Sequence, residues 1–92
     1  MVKNDAIISK NEGVPWRIIE GEAILVQVET GEVIHLNEVA TEIWRAVDGK
    51  KTIAEIIDQI TASFEVKRDE ASKDTLEFVN KLLDKSLVTL SK

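Results

Sequence analysis

A chain of 92 residues has room for one hydrophobic core and none for a second. Hydrophobic residues at 43% and charged residues at 32% describe a soluble, globular chain rather than a disordered one. A net charge of −5 argues against a nucleic-acid surface, which gains most of its affinity from basic contacts to phosphate, and the lack of cysteine removes disulfides, thiolate nucleophiles and cysteine metal sites.

Lys3, Asp5, Lys10 and Glu12 surround a single short apolar pair, Ile7-Ile8, so residues 1–14 lack the stretch of a signal peptide. No run approaches the ~20 apolar residues that span a bilayer. The expectation is a cytoplasmic chain with no membrane partner, in which residues 1–13 are an arm that need not be ordered and 14–90 form one domain.

The hydrophobic pattern changes once, near residue 37, from a period near two to a helical one. Trp16 to Glu20 is predicted as a first strand after Pro15, and Glu20-Gly21-Glu22 as a turn. Ala23 to Val28 is the second strand, with Ile24, Val26 and Val28 suited to a pleated surface. Glu29-Thr30-Gly31-Glu32 turns the chain into a short third strand, Val33 to Leu36. Asn37 then caps a first helix that buries Val39, Ile43, Trp44 and Val47 and ends at Asp48-Gly49. Thr52 and Glu55 have the spacing of a capping box ahead of a second helix with Ile53, Ile56, Ile57, Ile60 and Phe64 on its inner face. A third helix is predicted from about Asp69 to Lys85, followed by a short apolar tail, Leu87 to Leu90. A three-stranded sheet is not stable bare, so the helices must cover one face. The expected fold is α+β and winged-helix-like, a three-stranded antiparallel meander followed by three helices.

Catalytic chemistry finds little support. His35 is the only histidine, and nothing near it in sequence supplies an orienting partner or a nucleophile. One histidine without cysteine does not make a zinc site, and no glycine-rich phosphate loop is present. The expectation is a non-enzyme with no catalytic residue, no metal and no cofactor. A helix-turn-helix reading would lay the third helix in a DNA groove, yet from Lys67 to Lys85 five basic residues face five acidic ones.

The sheet edge does suggest a function. Pro15 and Arg17 blunt the first strand, whereas Val33-Ile34-His35-Leu36 carries neither proline nor lysine. An unprotected edge can take a peptide as a fourth strand. The apolar positions of the third helix span about half the cylinder, wider than the ~100° stripe of a single core contact. Its flank through Ala71, Asp74, Phe78 and Lys81 is the one assigned to a groove beside the edge. A proline at Ile34 tests the pairing if that N–H faces the groove. On the residues alone, three readings stay open: an edge that binds peptide, one covered by the Leu87–Leu90 tail, and one that pairs two copies as a homodimer.

Trp16-Arg17, Ala23-Ile24-Leu25-Val26, Glu29-Thr30-Gly31, Leu36-Asn37-Glu38, Ile43-Trp44 and Asp48-Gly49-Lys50-Lys51-Thr52 follow one another in an order that resembles the PqqD-like family. Asp74, Leu76, Phe78, Leu82 and Leu87-Val88 extend the likeness from about residue 14 to 88. Two departures stand out: Ser86 where the family often has glycine, and Gln27-Val28-Glu29 where the member serving pyrroloquinoline quinone synthesis usually has a Tyr-Pro-Glu-like segment. The second weighs against the quinone pathway more than against binding. The resemblance implies a non-catalytic chaperone that binds the leader of a ribosomally made precursor peptide and presents it to a modifying enzyme, often a radical SAM enzyme. It also implies backbone pairing at Val33, Ile34, His35 and Leu36, with Asp74, Phe78 and Lys81 making side-chain contacts.

Overall fold

The computed structural model describes residues 3–90. Eight elements follow in order: β1 (Ile8–Lys10), β2 (Trp16–Ile19), β3 (Glu22–Gln27), β4 (Glu32–His35), α1 (Glu38–Ala46), α2 (Ile53–Phe64), α3 (Arg68–Asp84) and β5 (Val88–Leu90). Strands β2, β3 and β4 are the predicted meander, antiparallel and in sequence order, and the three predicted helices follow it.

Local sequence explains most of these boundaries. Ile19 opposes Glu22 across a two-residue turn in which Glu20 and Gly21 both take positive φ, at 52° and 83°. That conformation matches the right-handed twist of the flanking strands. Asn37 Oδ1 accepts from the Ala40 N–H at 2.8 Å and starts α1. At the start of α2, Thr52 and Glu55 make both bonds of the capping box, at 2.8 and 3.2 Å.

Alternation in the strands and periodicity in the helices aim one core. Ala23, Leu25 and Leu36 leave the inner face of the sheet. They meet Ile43, Trp44 and Val47 near α1, Ile53, Ile56, Ile57 and Ile60 of α2, and Ala71, Val79 and Leu82 of α3, all buried. Thr41 joins the layers: its hydroxyl accepts from Ala23 N–H at 2.9 Å and donates to the Leu36 carbonyl at 3.2 Å. Trp44 is fully buried, and the half-exposed Trp16 packs edge-on against it with ring centroids 5.8 Å apart.

The chain ends differ from expectation. The segment before residue 14, expected as an arm outside the domain, is part of the fold over its described residues. β1 and β5 form a two-stranded antiparallel sheet that pairs Ile8 with Leu90 and Lys10 with Val88. Ile8 is fully buried, and Ile53 N–H donates to the Ala6 carbonyl at 2.9 Å. Lys10 Nζ donates to the Val47 carbonyl at 2.6 Å and lies 5.3 and 5.4 Å from the ring centroids of Trp16 and Trp44. Burial holds the Lys10 ammonium below the usual lysine value, against the opposing pull of Asp48. Pairing with a partner some 80 positions away leaves no local signal in a three-residue strand.

Gly49 also differs from the helix cap assigned to it. α1 ends at Ala46, and Gly49, at φ 77°, passes β1 instead. Its N–H donates to the Ile8 carbonyl at 3.1 Å, and a Cβ there would sit 2.8 Å from Ser9 Oγ. The backbone angle favours glycine, and any larger residue would also have to displace the Ser9 hydroxyl.

Candidate functional site: an open strand edge beside a helical groove

β4 pairs with β3 and, among the described residues, with no strand on its other side. Leu36 N–H donates to the Ala23 carbonyl at 2.9 Å, so the Leu36 backbone faces β3. Val26 N–H donates away from β4, to the Pro15 carbonyl at 3.0 Å. Antiparallel ladders alternate, so with Ile34 opposite Leu25 and Val33 opposite Val26, Ile34 faces β3 while Val33 and His35 face outward. The free N–H and C=O groups of this edge therefore belong to Val33 and His35. This corrects the proline test: a proline at Ile34 would strike the sheet's own ladder.

The apolar tail does not cover the edge, because its residues pair with β1 in the separate sheet. Val33 is 54% exposed, although its type is common in buried strands. Side chains alternate across β4: Val33 and His35 reach the outer face, half-buried Ile34 and buried Leu36 the inner one.

Asp74, Phe78 and Lys81 of α3, with Lys85 just after its end, fall within one narrow stripe at helical spacing. Two contacts fix where it points. At one end, Lys85 Nζ bonds Glu32 Oε1 at 3.0 Å at the start of β4, and the Lys85 carbonyl accepts from Gln27 Nε2 at 3.0 Å. At the other, Asp74 and Phe78 line a groove of about 280 Å³ with Asn37, Val39, Ala40 and Ile43. Pockets for drug-sized molecules start at ~300 Å³ and enclose their ligand, so this groove suits peptide side chains better than a small molecule or cofactor.

Of the residues singled out in the sequence, Asp74 and Phe78 line this groove, Lys81 is exposed on the same stripe, Val33, Ile34 and His35 lie in β4, and Leu36 follows just after its end. Asn37, Val39, Ala40 and Ile43 were missed as site residues. Asn37 is the α1 cap that its sequence position predicts, and Ile43 is buried as its helical spacing predicts. Val39 is only half-buried, a distinction helical periodicity does not carry. Among the described residues, no group of three or more histidine, cysteine or acidic side chains could hold a metal ion, and no helix is long and apolar enough to cross a membrane.

A sequence profile described as coenzyme PQQ synthesis protein D (PqqD) matches residues 22–88. The chain belongs to the PqqD family. A curated PqqA binding protein of Gluconobacter oxydans (strain 621H) is 35% identical over 49 residues, covering 53% of this chain. The match spans 51% of that relative, so the chain aligns with about half the length of the curated protein. Two solved structures superpose over nearly the whole PqqD-like fold. TbiB1 in complex with the TbiA(beta) leader peptide has a TM-score of 0.77 at 29% identity, covering 90% of this chain and 94% of TbiB1. A lasso peptide synthetase B1 complexed with its leader peptide also has a TM-score of 0.77, at 20% identity, covering 89% and 96%. The latter speaks for the fold alone. The profile gives the family, and the two superpositions give the fold.

Proposed function

We propose that this PqqD-like domain binds the leader of a precursor peptide by adding it as a strand to β4, and presents the peptide to a modifying enzyme. The observation that carries this reading is the outward-facing backbone of Val33 and His35, unpaired beside the groove under Phe78. Main-chain bonds at such an edge supply affinity, and pockets for alternate side chains supply specificity. The complex of TbiB1 with a leader peptide supports the assignment by likeness. A radical SAM enzyme is the proposed partner class, and pyrroloquinoline quinone or a related peptide-derived compound the proposed product.

Amide-resolved titration of the domain with a candidate leader tests this. Saturable shifts are expected at Val33–His35 and along Asp74–Lys81. A cognate leader that binds while leaving these amides unmoved would overturn the assignment. Self-pairing at the same edge would instead show as concentration-dependent shifts without peptide.

A further inference from the structure

The groove wall has electrical polarity. β4 and α3 run in opposite directions along the site, because Lys85 meets Glu32 at the start of β4 while Asp74 shares a groove with Asn37 just after its end. Asp74 is exposed and has no ion-pair partner among the described residues, and the same is true of Lys81. Phe78 lies between the charges, with Val39, Ala40 and Ile43 facing it across the groove.

Spacing converts this into a peptide pattern. At about 1.5 Å per residue, Asp74 to Phe78 advances about 6 Å along the helix, Asp74 to Lys81 about 10 Å and Asp74 to Lys85 about 16 Å. Every second residue of a strand shares a face, in steps of about 6.6 Å. One such step from Asp74 arrives at Phe78, and two fall between Lys81 and Lys85. Lys85 is occupied by Glu32, which leaves Lys81 as the free cation of the two.

Resting on the reading of β4 as a leader-binding edge, we propose that the groove selects an extended peptide with three inward side chains: a basic one at Asp74, an apolar one at Phe78 and an acidic one at Lys81. Antiparallel pairing is slightly the more stable per residue. In that direction the pattern reads basic, any, apolar, any, acidic from the peptide's N-terminus. Asp74 and Lys81 are thus specificity-determining residues that set register and direction, because a reversed strand would place like charges together and one slipped by two residues would press a charge against Phe78.

Selection of short random peptides displayed against the whole chain tests this, followed by amide-resolved titration with the peptides recovered. The expected pool carries the stated pattern and shifts the Val33 and His35 amides. Replacing the basic residue by glutamate should weaken binding roughly two- to fivefold, as an exposed ion pair allows. Asp74→Lys should invert that preference, and Lys81→Glu should invert the preference at the acidic position. Peptides that shift Val33 and His35 without charge preference, or whose preference survives Asp74→Lys, would overturn the polarity and leave the leader-binding site standing. Peptides that bind while leaving Val33 and His35 unmoved, or no selectable binder, would count against both.

Discussion

Helix α3 stops through a hydrogen-bond pattern that favours glycine, and it does so at Ser86. Leu87 N–H donates to the Leu82 carbonyl at 2.9 Å and Ser86 N–H to the Leu83 carbonyl at 3.0 Å, the paired bonds of a Schellman motif. Ser86 accordingly takes φ 60°. The family's frequent glycine at this place has its physical reason here, and serine bears the left-handed cost of about 1–2 kcal/mol. Ser86→Gly recovers that cost less the extra entropy of an unfolded glycine, for a net gain of about 0.5–1 kcal/mol in urea unfolding. A midpoint that did not rise would mean that the strain is relaxed in solution. Asp48 is the other residue with a local signature. Its carboxylate accepts from Lys50 and Lys51 N–H, each at 2.9 Å, and meets the Lys51 ammonium at 3.0 Å. Those backbone bonds, foremost, hold its carboxyl far below the ordinary 3.8. With the folded value depressed, the unfolded chain binds more protons in acid. The contribution of Asp48 is therefore complete above its unfolded value and declines as pH falls from there toward the folded one. Stability measured from pH 6 down to about 2 should fall less steeply in Asp48→Asn than in the parent.

At the scale of the element, β4 carries two kinds of residue in four positions, and proline tells them apart. At His35 a proline removes a donor that the sheet does not use, so the domain should stay folded and leader binding should drop by tenfold or more, about 1.4 kcal/mol, as one hydrogen bond to the leader is lost. At Ile34 it removes a bond to β3 and should unfold or weaken the domain itself. Circular dichroism with calorimetric titration separates the cases, and unchanged binding in a folded His35→Pro protein would argue against pairing at this edge. The sequence gives the length of β4 and its lack of blunting residues. Which of its N–H groups face outward follows from the register against β3, which is a property of two strands together. The α3 stripe is similar. Periodicity identifies the flank through Asp74, Phe78 and Lys81, but the bond between Lys85 and Glu32 decides that it fronts β4.

Across the whole molecule, the core is closed by residues far apart in the chain. β1 lies between β5 and the link from α1 to α2, and Ile8 inserts where Leu87 and Val88 are also buried. Ile8→Ala should destabilise the domain by about 2–5 kcal/mol, the range for a large aliphatic removed from a packed core. That is a large share of the ~5–15 kcal/mol available to a typical domain, so a clear fall in thermal midpoint is expected. An unchanged midpoint would restore the view of residues 1–13 as an appendage. The same closure leaves β4 free, since β5 pairs with β1 in its own sheet rather than with the meander.

By itself the sequence determined what short-range physics decides: alternation set the meander strands, and helical spacing set the three helices, with side-chain caps at the start of the first two. Each depends on neighbours within a turn or two of the residue concerned. Tertiary structure alone decided the pairing of β1 with β5, the passage of Gly49 against β1, the outward N–H groups of Val33 and His35, and the joining of Asn37, Val39 and Ala40 to the groove. These are relations between segments distant in the chain, and a hydrophobic pattern records that a residue is buried without recording what it is buried against.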